Sequence, residues 1–118
     1  MSPAYRRTIY CQQSPKVLEQ IMQDGVDWYL SSHPTVFPIE RKNSCIVLKT
    51  QKSYRSDGEL ITVSVRENSF GIVSKCHEES PQLVAWGKNR ENVIFLSACL
   101  KSQMRELLCV ATRSGLTT

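Results

Sequence analysis

Five cysteines, two histidines and one short aromatic–basic cluster are the residues of this 118-residue chain whose types suggest chemistry. Cys76-His77-Glu78 places three metal-capable side chains in a row. In an extended strand, however, adjacent side chains point to opposite faces and cannot share one ion. The other cysteines are Cys11, Cys45, Cys99 and Cys109, and no two of the five form a C-x-x-C pair. The zinc-ribbon and zinc-finger patterns are therefore absent. His33 is the only other histidine, so the expectation is no metal and no cofactor. A cysteine nucleophile needs a histidine within reach, and Cys76 and His77 are too close in sequence to form that pair. The chain also lacks G-x-S-x-G, H-E-x-x-H, a phosphate-binding loop and G-x-G-x-x-G. These absences point away from catalysis and toward binding.

The densest cluster is Trp86-Gly87-Lys88-Asn89-Arg90. Read as a turn entering a helix, it offers unpaired N–H groups and the positive end of the helix dipole, with Lys88 and Arg90 adding charge. Trp86 would cover an apolar ligand or anchor a partner. The plainer alternative has Gly87 making the turn, Asn89 capping the helix and the two cations solvated. Further along the same helix, Phe95 and Cys99 project away from the core stripe. They mark a possible protein contact. A second candidate surface is the basic set Arg41, Lys42, Lys49, Lys52 and Arg55, which would serve RNA.

The elements that must position these residues follow from periodicity. Thr8 to Cys11 alternates as an opening edge strand. Ser14-Pro15 is a helix start, with serine capping and proline in the first turn. Val17, Leu18, Ile21, Met22, Gly25, Trp28 and Tyr29 then share one arc of about 140°. Gly25 is the weak point, costing up to about 1 kcal/mol against alanine unless something packs closely there. His33-Pro34 ends the helix.

From there the period changes to two. Thr35-Val36-Phe37 is extended, with Pro38 keeping it at an edge. Cys45 to Thr50 reads as a central strand. Leu60 to Val65 places Ile61, Val63 and Val65 on the buried face, and Phe70 to Cys76 returns after a turn at Glu67-Asn68-Ser69. Leu60, Thr62, Ser64 and Arg66 then form a half-polar face beside Phe70, Ile72, Ser74 and Cys76, in a register the sequence leaves open. Leu83 to Trp86 reads as a last strand or packed loop. A helix follows from about Arg90 to Cys109, with Val93, Leu96, Leu100, Met104, Leu107 and Leu108 on its core face.

These pieces specify an α+β two-layer sandwich, in which an antiparallel sheet of four or five strands carries two amphipathic helices on one face. One domain spans 1–110, and 111–118 forms a frayed tail. The composition is that of a globular protein, 41% hydrophobic and 22% charged, with a net charge of +4. No apolar run reaches the roughly 20 residues that cross a bilayer. An odd cysteine count without a secretory leader points to free thiols in a reducing, intracellular compartment, the cytoplasm ahead of an organelle.

The order of motifs resembles the domain-of-unknown-function 1499 family over roughly residues 17–100. A helix leads to Tyr54-Arg55-Ser56-Asp57, then to the strand Leu60 to Val65, to Val73-Ser74-Lys75, and to Gly87-Lys88-Asn89-Arg90 before the last helix. The resemblance implies a small α+β domain without an established activity. It singles out Ser74, Gly87 and Asn89. The α-β-β-β-α domain of signal-recognition-particle subunits is also similar, through Val47-Leu48-Lys49 and Asp57-Gly58-Glu59-Leu60, and implies an RNA-binding sheet. The leading expectation is a non-enzymatic module for a protein partner or a small anionic or apolar ligand; the alternative is RNA binding. Oligomeric state is open.

Overall fold

The computed structural model describes residues 4–51, 58–76 and 82–113, without the side chains of 82–86 and 108–113. Its elements run β1 (Ala4–Tyr10), α1 (Pro15–Ser32), β2 (Val36–Arg41), β3 (Cys45–Thr50), β4 (Glu59–Arg66), β5 (Ser69–Cys76) and α2 (Gln82–Arg113). The five strands form one antiparallel sheet in the order β1-β5-β4-β3-β2. The α+β fold with two helices is therefore the one expected. β1 and β2 are the edges, and a register shift between Pro38 and Glu40 interrupts the second, as suits a proline in a sheet.

α1 begins where the Ser-Pro signal places it, with the Ser14 side chain accepting from the Val17 N–H at 3.4 Å. Its buried face is Leu18, Ile21, Met22, Gly25, Val26 and Tyr29. Trp28, at the rim of the predicted arc, is instead 45% exposed, and Val26 takes the inward position. Ile46, Leu48, Ile61, Val63, Phe70 and Ile72 meet this face from the sheet, and Val93, Leu96 and Leu100 meet it from α2.

Two expectations are corrected. Ile61 pairs with Ser74, Val63 with Ile72 and Val65 with Phe70. Residues opposite one another in a ladder share a face, so Phe70, Ile72, Ser74 and Cys76 belong to the core. The outer face carries Leu60, Thr62 and Ser64 beside Lys75, Val73 and Gly71. Arg66 lies across Gly71, its Nε 2.9 Å from where a Cβ would stand.

The second correction concerns α2. Residues 82–113 form one continuous helix of 32 residues, about 48 Å at 1.5 Å per residue. Leu83 to Trp86 is thus neither strand nor loop, Gly87 makes no turn, and the helix outruns both predicted ends. A Cβ at Gly87 would meet nothing within 4 Å, so neither a bend nor a close contact demands glycine there. Asn89 and Asn92 of this stretch are both buried against the sheet.

Candidate functional site

Polar residues collect at one place in the interior, where the first third of α2 crosses β3, β4 and β5. Thr50, Glu59, Ser74, Asn89 and Asn92 are all buried there. Inside a core, every such group must find a partner or cost about 1–3 kcal/mol. They find one another. Thr50 Oγ1 donates to Glu59 Oε1 at 3.0 Å and accepts from the Glu59 N–H at 2.8 Å. Asn92 Nδ2 donates to the same Oε1 at 3.0 Å and to Ser74 Oγ at 3.2 Å. Ser74 Oγ donates in turn to Asn89 Oδ1 at 2.8 Å. Asn89 Nδ2 lies 3.8 Å from Cys76 Sγ.

This network borders an opening of about 150 Å³ lined by Tyr29, His33, Val36, Thr50, Lys88 and Asn92. The C-terminal end of α1 supplies the aromatic wall. His33 stacks on Tyr29 with ring centroids 4.2 Å apart and planes within 18°, and Phe95 tilts against the same imidazole at 5.5 Å. His33 Nδ1 lies 2.9 Å from the Tyr29 carbonyl oxygen. A carbonyl only accepts, so Nδ1 carries the proton and Nε2 is the ring's remaining polar atom. Cation, imidazole, amide and hydroxyl groups thus meet around a space the size of one aromatic ring.

Tyr29 is buried, and that burial, followed by the Cys99 thiol and the Glu59 carboxylate, pushes its phenol well above the ordinary value. The folded state therefore holds this proton more tightly than the unfolded one. Its contribution to stability is complete below the unfolded phenol pKa of about 10 and is lost as pH rises toward the folded value. We expect alkaline titration of the near-ultraviolet phenolate band to leave one tyrosine untitrated until the protein unfolds. Tyr29→Phe should abolish that delayed step. A Tyr29 that ionises with the exposed phenols would show that the wall is open to water.

The sequence-derived residues are distributed as follows. Lys88 lines the opening, and Asn89 belongs to the network behind it, not to a helix cap. Arg90 lies exposed on α2. The Trp86 side chain is outside the described residues. An anion site on free N–H groups at 87–90 is excluded, because those groups lie inside a helix that begins at Gln82. Phe95 is 52% exposed, yet it packs against His33, and Cys99 lies partly buried against the core. Burial raises the thiols of Cys11 and Cys99, which makes both poor nucleophiles.

The described members of the basic set, Arg41, Lys42 and Lys49, do not all share one face. Arg41 folds onto α1, with Nη2 2.7 Å from Asp27 Oδ1 and Nε donating to Gln23 Oε1 at 2.8 Å. Lys42 pairs with Glu40 at 3.3 Å. Lys49 points from the outer face of β3, and Lys52 and Arg55 lie outside the described residues, as do His77 and Glu78. Glu59, Thr50, Asn92 and His33 were missed as site residues. The available signal was a lone acid heading an otherwise alternating strand, opposite a helix carrying two asparagines one turn apart.

No family model and no curated protein matches the sequence. The architecture does have counterparts among solved structures. A START superfamily protein from Mycobacterium smegmatis superposes with a TM-score of 0.56 at 12% identity, over 88% of this chain and 98% of that one. The chain has a START-like fold. The di-domain ARO/CYC StfQ from the steffimycin biosynthetic pathway gives a TM-score of 0.58 at 11% identity, over 91% of this chain and 52% of that one. The ZhuI aromatase/cyclase from Streptomyces sp. R1128 gives 0.53 at 8% identity, over 91% and 96%. In this chain the space between α2 and the sheet is taken up by Phe70, Ile72, Val93, Leu96 and Leu100 together with the polar network. None of the helices among the described residues is long and apolar enough to cross a membrane.

Proposed function

We propose that the chain is a small-ligand binding domain. Its ligand inserts one ring-sized apolar group, carrying an acidic or hydroxyl substituent, between α1 and α2 beside Thr50 and Asn92. The observation that carries this reading is the opening of about 150 Å³ in which Lys88 and His33 stand over a stacked aromatic wall, with a buried carboxylate network behind them. A cavity of this size accommodates benzene. Fixed polar groups beside an aromatic surface orient a small molecule and set its specificity. The fold is in keeping with this, since it is shared with two aromatase/cyclases.

RNA binding has less support, because Arg41 and Lys42 are ion-paired.

The test is an amide-resolved titration with benzoate and with benzyl alcohol. We expect saturable shifts at His33, Lys88 and Asn92 with a Kd of roughly millimolar or tighter, a modest demand for a probe of nine heavy atoms or fewer. Lys88→Gln should weaken benzoate more than benzyl alcohol. If neither probe moves these resonances in a saturable way, the reading is wrong.

A further inference from the structure

About three and a half turns beyond Lys88 on α2, roughly 20 Å along the helix axis, lies a second cleft of different character. It spans about 400 Å³ between the edge strand β1 and the C-terminal half of α2. Arg7, Lys101 and Arg105 all line it, Ile9 and Met104 are its apolar members, and no acidic residue among the described residues lines it. Arg7 occupies a helix-side position of β1, opposite Ile72 and next but one to the buried Ile9. Lys101 and Arg105 are four apart on one helix face, where like charges repel. The ion pairs among the described residues go elsewhere, to Arg41 and Lys42. Three cations brought together without a carboxylate are an arrangement that a bound anion stabilises.

The strand edge adds donors. The Cys11 N–H bonds the Asn68 carbonyl at 3.0 Å, in line with the β1–β5 register, which sets Ile9 opposite Phe70 and Arg7 opposite Ile72. Antiparallel ladders bond alternate residues. Arg7, Ile9 and Cys11 therefore use their backbone groups toward β5, and Thr8 and Tyr10 turn theirs outward at the open edge. Both of these residues line the cleft.

We propose that this cleft binds a phosphate monoester, with the phosphoryl group between Arg7, Lys101 and Arg105 and the organic body against Met104. A dianion with three terminal oxygens suits a cleft lined by three cations, and guanidinium forks grip such oxygens in pairs. The cleft is several times larger than a bare phosphate needs, and its apolar residues give an attached organic group a place to rest. This site is separate from the opening at His33 and does not depend on its ligand.

The probe is phenyl phosphate, titrated at low ionic strength and slightly alkaline pH with backbone amides as reporters. We expect saturable shifts centred on Thr8, Tyr10 and Lys101, and weaker binding of the monoanion benzenesulfonate. Lys101→Gln with Arg105→Gln removes two charges from positions with at most partial burial, so the variant should fold. It should weaken phenyl phosphate at least roughly tenfold, the scale of losing charge-assisted hydrogen bonds. Benzoate shifts at His33 should be unchanged in the same variant, which separates the two sites. Three results would overturn the proposal: phenyl phosphate shifts that do not saturate, an affinity indifferent to the double substitution, or these amides responding to a short RNA strand and not to phenyl phosphate.

Discussion

Replacing Asn92 with leucine should destabilise the protein by about 2–4 kcal/mol, the range for breaking buried hydrogen bonds that include one to a carboxylate. The Asn92 amide donates from one nitrogen to both Glu59 Oε1 and Ser74 Oγ. Leucine has a similar volume and would fit, so the loss would come from polarity and not from space. Glu59 is fully buried, and a buried carboxylate deprived of a donor is among the costlier defects a core can hold. For a domain of this size the change corresponds to a fall in Tm on the order of 10–25 °C. Chemical denaturation of Asn92→Leu, Glu59→Leu and the double variant supplies the decisive comparison. With both partners apolar no carboxylate has lost a donor, so the double variant should be clearly more stable than the two single losses predict by addition. An Asn92→Leu protein within about 0.5 kcal/mol of the parent, the usual spread of harmless surface changes, would mean that the network carries no load.

The same network shows where the sequence was readable and where it was not. Strands β3, β4 and β5 follow from alternation because one buried face enforces a period of two, and β-branched residues crowd that face. Helix α1 follows from Ser14-Pro15 and a clean apolar arc. The start of α2 carries the same Ser-Pro signal, at Ser80-Pro81, but Gly87 and Asn89 look like a turn and a cap when only local preference is considered. The structure overrides that preference through contacts distant in sequence, since Asn89 meets Ser74 and Asn92 meets Glu59. Those partners lie 15 and 33 residues away, and no helical or strand period encodes them. For the same reason the motif positions Ser74 and Asn89 were visible separately, while the bond between them was not. His33 read as a helix terminator; only its stacking on Tyr29 places it at an opening.

Gly25→Ala should also destabilise the protein, by about 1–3 kcal/mol, although alanine is the better helix former by up to about 1 kcal/mol. Gly25 lies in the middle of α1 on the face that packs against α2. A Cβ built there would stand 2.7 Å from Leu100 Cδ2 and 3.3 Å from Leu100 Cα. The first contact is with the end of a side chain, which can turn aside. The second is with backbone, and relieving it requires the two helices to separate. Leu100 is itself fully buried, so neither movement is free in a close-packed interior. The separation would also pull α2 away from the sheet to which Asn89 and Asn92 are bonded. Thermal or urea unfolding of Gly25→Ala, Leu100→Ala and the double variant tests this account. Leu100→Ala alone should cost about 2–5 kcal/mol through its cavity, and adding the Gly25 methyl to it should cost little more, because part of the space it needs has been vacated. A Gly25→Ala protein more stable than the parent would show that the helices do not meet at this glycine, and that its cost is the ordinary one of backbone entropy.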